Sequence, residues 1–273
     1  MNPGAFDALL KGECDYSVVP FENSTNGSVV FTFDILRDII HAPGTKSNGN
    51  IAPPLQVVEE VFVPINHCLL TTATDLSQVK RLYTHPQAWG QVDHYLAAHF
   101  SPADVERLDT DSTSAAVGIA KTDPEGAAIA SSAASVVHDV PIFQANISNK
   151  KDNTTRFLVF ARADPQNAGS AVYPDPALHV AADVKREKKG SLASFIVQND
   201  KPGALCATLQ EFAQSNISLT SINSRPSGKG AWSYVFYIEF EGDALHDNAV
   251  SSAVARAAKN CLEFCILGSF YRA

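Results

Sequence analysis

DYSVVPFENSTNGSVVFTFDILRDII, residues 15–40, sets a strand and a helix on either side of a polar turn. DYSVVPF is apolar and β-branched enough for a short buried strand. Glu22-Asn23-Ser24-Thr25 ends it, Gly27 permits a tight turn, and GSVVFTFDILRDII reads as a helix. Hydroxyls, an amide and free backbone N–H groups at a helix start make a place for an anionic oxygen. An ordinary N-cap needs the same residues, so the turn has two readings.

Moving outward, short strands keep alternating with helical patterns. LQVVEEVFVPINHCLL alternates Val57, Glu59, Val61 and Val63 against Val58, Glu60 and Phe62, as a strand does. VKRLYTH leads into a helix that opens at His85-Pro86, where proline suits the first helical position, and Trp89, Val92 and Leu96 share one face. STSAAVGIAK, GAAIAS and SAASVVHDV continue the series, which predicts an α/β domain. HAPGTKSNGNIAPP, residues 41–54, has no apolar period and reads as a mobile surface loop. His85 and Gln87 are either polar pocket residues or helix caps. In KDNTTRFLVF, residues 151–160, two hydroxyls and a guanidinium stand at the mouth of a buried strand. Arg156 could clamp a carboxylate while Thr154 and Thr155 donate hydrogen bonds, or it could pair with a nearby acid.

A polar stretch near residues 164–190 reads as a linker, and the pattern then changes. SLASFIVQN, ISLTSINSR, AWSYVFYIEFEG and LEFCILGSF read as strands. Leu205, Leu209 and Phe212 mark one helix, and Val250, Val254, Ala257 and Cys261 a second. The order βαββαβ predicts a ferredoxin-like sandwich, with helices on one face of an antiparallel sheet. Trp232, Tyr234, Phe236, Ile238 and Phe240 alternate along the third strand against Ser233, Val235, Tyr237 and Glu239, and the aromatic character of the sheet's other face favours a partner subunit there. NDKPGAL opens a helix whose N–H groups can hold a carboxylate, and INSRPSGKG places Asn223, Ser224 and Arg225 at a strand end. Plain turn chemistry would use the same residues.

Composition excludes several classes. The 273 residues carry a net charge of −8, which argues against non-specific nucleic-acid binding. No apolar run is long enough to span a membrane, and the first residues do not form a secretory signal. Cys14, Cys68, Cys206, Cys261 and Cys265 make an odd count without a C-x-x-C pair, as expected of reduced thiols in the cytosol. No G-x-G-x-x-G, Walker loop, H-E-x-x-H or G-x-S-x-G occurs, and His94 and His99 lack an obvious third metal ligand.

Taken together, DYSVVPFENSTNGSV, THPQA, NTTRFLVF, KPGAL and SRP before an aromatic strand resemble, in order and spacing, prephenate dehydratase with a C-terminal ACT regulatory domain. The resemblance implies two α/β lobes around a cleft (residues 1–163), a linker (164–189) and a ferredoxin-like ACT domain (190–273). It implies decarboxylation and dehydration of prephenate to phenylpyruvate, without a cofactor or metal, in the route to phenylalanine. Thr155 would hydrogen-bond the leaving oxygen with Thr154 beside it, and Arg156 would anchor a carboxylate. Asn23 and Ser24 would fit the same pocket, with Glu22 orienting them and Thr25, His85, Gln87 and Phe157 lining it. Phenylalanine would bind Gly203, Ala204 and Leu205, with Asn223, Ser224, Arg225 and Pro226 opposite, at the interface of a homodimer or a tetramer.

Two departures from the family pattern set further expectations. Asn223 stands where the family has an acid, so it offers less to an ammonium group. The family also opens with a strand and a G-P-x-G-T-x-S turn ahead of the point where this chain starts, so a partial first lobe with weak turnover is expected. The alternative function is an inert phenylalanine-binding module. An aromatic amino-acid hydroxylase with a similar ACT domain would need an iron site, which the histidines and acids do not supply.

Overall fold

The computed structural model describes residues 4–42, 46, 47, 50–163 and 188–272. They form two compact units, one of Met1–Val63 with Thr155–Ala273 and one of Pro64–Thr154. Most of the expected linker, residues 164–187, lies outside the described residues.

The first unit is built on a mixed eight-stranded sheet. Its N-terminal part contains α1 (Gly4–Lys11), β1 (Tyr16–Asn23), β2 (Gly27–Ser28) and α2 (Val30–Ile40). A small hairpin of β3 (Lys46–Ser47) and β4 (Asn50–Ile51) follows within the expected loop, and then β5 (Leu55–Pro64). The segment 55–70 is thus two strands, β5 and β6 (His67–Leu70), divided at the boundary between the units.

The second unit begins with β6 and continues through β7 (Arg81–Thr84), α3 (Pro86–Trp89), α4 (Asp93–His99), β8 (Glu106–Asp109) and α5 (Thr113–Thr122). It closes with β9 (Gly126–Ser131), α6 (Ser132–His138) and β10 (Ile142–Gln144). The sheet order is β10-β6-β9-β7-β8, with β7 parallel to both β8 and β9. Alternation along the strands feeds two cores. Leu70, Tyr83, Ala128 and Ala130 pack with Ala116, Val117 and Ala120 of α5, whereas Leu69, Leu82, Ala127 and Ile129 pack with Val92 and Leu96. Both faces of this sheet are therefore buried, as in doubly wound α/β folds.

Back in the first unit come β11 (Thr154–Arg162), β12 (Lys189–Ile196), α7 (Ala204–Gln214), β13 (Leu219–Pro226), β14 (Tyr234–Glu241), α8 (Asn248–Ala258) and β15 (Glu263–Tyr271). The antiparallel order β13-β14-β12-β15 with α7 and α8 is the expected βαββαβ sandwich. Ala193, Phe195, Ile238 and Phe240 face the helices, together with Phe212, Val250 and Ala257. Trp232 does not belong to the strand. It has a left-handed backbone (φ 61°), is 83% exposed, and precedes β14 in a turn.

The other face of that sheet corrects the expectation of a partner subunit. Leu192, Ile196, Val235, Tyr237, Cys265 and Leu267 share one core with Phe33, Leu36 and Ile40 of α2 and with Phe6 and Leu9 of α1. The chain's own helix α2 covers the face that carries Val235 and Tyr237, because positions 33, 36 and 40 make one apolar stripe. The Phe33 and Tyr237 rings meet edge to face at 5.1 Å, and the Tyr237 hydroxyl donates to the Phe33 carbonyl at 3.0 Å. Burial pushes the Tyr237 pKa far up, so this phenol stays neutral.

Gly268 of β15 has φ +140°, and a Cβ there would lie 2.2 Å from the Val57 carbonyl oxygen of β5. Gly268→Ala is therefore expected to cost on the order of 3 kcal/mol from strain and overpacking, read as a fall in Tm. In the second unit, Arg81 hydrogen-bonds both oxygens of Asp123 at 2.7 and 2.6 Å and holds its pKa down to about 2 from 3.8. A depressed carboxyl contributes stability above its unfolded pKa and loses it as pH falls through the folded one. Acid unfolding of wild type should steepen between about pH 4 and pH 2. Asp123→Asn should flatten that window while lowering stability at neutral pH.

Candidate functional site

The pairing of β1 with β11 shapes the candidate site. Register runs Val19↔Leu158 and Pro20↔Phe157, then shifts to Glu22↔Arg156 and Asn23↔Thr155, which leaves Phe21 as the extra residue of a β-bulge. A bulge re-aims the side chains that follow it. Here it sets Asn23 beside Thr155 on one face and Glu22 beside Arg156 on the other.

On the first face, Asn23 Nδ2 donates to Thr155 Oγ1 at 3.0 Å. The Asn23 side-chain oxygen accepts from the backbone N–H of Thr25 at 3.0 Å and of Asn26 at 2.9 Å. This Asx turn fixes the amide, with its carbonyl in the turn and its NH2 towards Thr155. Because Thr155 Oγ1 accepts from Asn23, its own proton is left to donate elsewhere. Ser24 and Thr25 are exposed, Phe157 is half-buried, and Thr154 Oγ1 donates to the Asp152 carbonyl at 3.4 Å.

On the opposite face Arg156 meets acids rather than open space. Its Nε lies 3.0 Å from Glu60 of β5, its Nη1 3.6 Å from Glu22, and its Nη2 contacts Glu239 of β14. Glu60 and Glu239 are buried. The sequence left Arg156 two readings, clamp or paired arginine, and here its guanidinium lies among three acids.

In the second unit, His85 caps α3, its Nδ1 accepting from the Gln87 backbone N–H at 3.2 Å, and Gln87 is exposed. A group that sequence reading missed lies in the same unit. Gln91 Oε1 accepts from His67 Nε2 at 2.7 Å and from Asn153 Nδ2 at 3.2 Å, and His67 Nδ1 is buried without a hydrogen-bond partner. Asn153, next to the hydroxyl pair in the quoted motif, was the available signal; Gln91 and His67 carried none. Among the described residues no cluster of three or more His, Cys, Asp or Glu side chains could hold a metal ion.

The strand-end motif of β13 divides in the same alternating way. Arg225 makes a bidentate pair with Asp34 of α2 (2.8 and 2.9 Å), and Asn223 accepts from the Ser28 hydroxyl. The Arg225 hydrogen bonds hold the Asp34 carboxyl below its ordinary pKa. Arg37 adds hydrogen bonds to Asp34 and to the Pro226 carbonyl. Ser224 and Pro226 are exposed. Gly203 caps α7 with a left-handed backbone (φ 80°), as glycine allows, ahead of Ala204 and Leu205.

Comparison with known proteins agrees with this architecture. Residues 2–165 match the model of the prephenate dehydratase family, and residues 192–254 match that of the ACT domain. The chain is 33% identical to a probable prephenate dehydratase of Saccharomyces cerevisiae, over 94% of this chain and 82% of the relative. It is 30% identical to a bifunctional chorismate mutase/prephenate dehydratase of Aquifex aeolicus, over 95% of this chain but only 62% of the longer relative. The crystal structure of a prephenate dehydratase from Arthrobacter aurescens in complex with L-Phe superposes with a TM-score of 0.77 at 27% identity, covering 99% of this chain and 79% of that one. With the sandwich, the Asn23–Thr155 pair and both family matches in place, the chain belongs to the prephenate dehydratase family, lyases whose catalytic domain is followed here by an ACT domain.

Proposed function

We propose that this chain decarboxylates and dehydrates prephenate to phenylpyruvate under feedback control by phenylalanine, with Thr155 and Asn23 at the reacting oxygen. The observation that carries the assignment is the 3.0 Å bond from Asn23 Nδ2 into Thr155 Oγ1. As the ring carboxylate leaves as carbon dioxide, its bonding electrons enter the ring and the ring hydroxyl departs as water, taking up one proton. Aromatisation drives the step, so the protein has only to orient the substrate and stabilise charge on the departing oxygen.

A threonine hydroxyl is too weak an acid to surrender its proton outright at neutral pH. It donates a hydrogen bond that strengthens as negative charge grows on the leaving oxygen. The Asn23 N–H groups meanwhile stabilise charge on Oγ1. Ser24, Thr25 and Phe157 stand near enough in sequence to this pair to contact substrate. The pH of assay must be neutral or above, because prephenate breaks down by itself in acid.

Removing one such donor typically costs about 10²- to 10³-fold in turnover. Thr155→Ala should lose that much kcat in a phenylpyruvate assay while keeping its melting transition. Asn23→Asp keeps the turn acceptor, discards the N–H donor and should lose kcat as well. A Thr155→Ala enzyme with wild-type turnover would remove Thr155 from the chemistry. No wild-type turnover, with phenylalanine still bound, would leave the inert regulatory module.

For regulation, we infer that phenylalanine binds near the α7 start at Gly203, Ala204 and Leu205, with Ser224 and Pro226 across a pair of ACT domains. Asn223 and Arg225 would feel the ligand through Ser28 and Asp34. Support for pairing comes from β13, which among the described residues is an edge strand of its sheet, with Ile222 half exposed. Ile222→Glu should then shift sedimentation from dimer towards monomer and weaken phenylalanine inhibition. The cytosol suits the five cysteines, all free.

A further inference from the structure

Thr155 and Arg156 are neighbours in sequence but occupy opposite faces of β11. Whatever bonds Thr155 Oγ1 on one face is separated by the strand itself from the guanidinium on the other. The Arg156 side chain is 11% exposed, and each of its three nitrogens faces a protein carboxylate: Glu60, Glu22 and Glu239. For a substrate carboxylate to take either position, it would have to displace Glu60 or Glu239, both of them buried, from the guanidinium. Breaking a buried ion pair in that way is strongly destabilising, more so than one new ion pair offsets.

Glu239 belongs to the ACT domain. It lies opposite Ser221 of β13, two residues from Asn223, and is 1% exposed. Arg272, at the end of β15, approaches the same carboxylate at 3.6 Å. The cluster therefore ties the backbone on which Thr155 sits directly to the strands of the regulatory domain. A second tie runs parallel to it, from Ser28 of β2 to Asn223. Ser28 pairs with Glu22, the residue before Asn23.

We propose that Arg156 is a positioning residue rather than a substrate anchor. On this reading Glu239 of the ACT domain, acting through Arg156, holds Thr155 in register with Asn23. The proposal rests on the assignment of Thr155 given above. It deepens that assignment by making the reacting hydroxyl depend on an acid from the regulatory domain.

Prephenate kinetics of the full chain separate the roles, because an anchor acts on KM and a positioning residue on kcat. Glu239→Gln and Arg156→Lys should each lower kcat by ~10- to 100-fold, as misplacement of a reacting group does, with KM within about twofold of wild type. The double variant should be no worse than Arg156→Lys alone, since both changes cut one link. Glu60→Gln probes the same guanidinium from β5 and should also lower kcat, which provides a second reading if Glu239→Gln melts early.

A raised KM with intact kcat in Arg156→Lys, and wild-type kinetics in Glu239→Gln, would restore the anchor and overturn the proposal. Loss of cooperative melting in all the single variants would reduce the cluster to a stabilising one and overturn it too. Absence of turnover in wild type would be a different failure, removing the dehydratase reading and this proposal with it.

Discussion

The antiparallel register of β1 on β11 is the constraint on which the candidate site depends. A one-residue slip would exchange the faces and send Arg156 where Thr155 belongs. The bulge at Phe21 locks that register. Phe21 itself is buried against Phe33, with ring centroids 4.5 Å apart, so the extra residue serves as a packing anchor. From this one irregularity follow the Asn23–Thr155 bond and the acid cluster behind it.

The same alternation organises the ACT domain. One face of its sheet receives α7 and α8, and the other receives α2, so each strand is read twice. Polar residues that fall on the α2 side are drawn into pairs with α2 and β11: Arg225 with Asp34, Glu239 with Arg156, and Tyr237 with the Phe33 carbonyl. The regulatory and catalytic parts of this unit thus share one core and one set of ion pairs. Ligand energy at the strand end can reach β2 and β11 only through differential contacts of this kind.

Much of this was legible in the sequence. The βαββαβ order, the β1–turn–α2 unit and the helix opening at His85 all follow from period and from turn residues. So did the resemblance on which the family rests. What could not be read was tertiary. Nothing in AWSYVFYIEFEG distinguishes a face covered by another subunit from one covered by α2, because both need the same apolar residues. The bulge leaves no mark of its own, since Phe21 looks like any strand residue. Arg156 had two readings because its acids lie 134, 96 and 83 residues away in the sequence, at Glu22, Glu60 and Glu239. Gln91 and His67 gave no warning, because their role depends on Asn153 being brought to them.

The division of the chain has a consequence for the order in which it can fold. The second unit is one continuous segment, whereas the first is assembled from Met1–Val63 and Thr155–Ala273. During synthesis, α2 emerges with Phe33, Leu36 and Ile40 well before their partners Val235, Tyr237 and Leu267 are made. The continuous unit can complete its core on local contacts while the early helix waits with its apolar stripe uncovered. A nascent chain of this design passes through a long interval in which its N-terminal segment is sticky, and that interval closes only when β14 and β15 leave the ribosome.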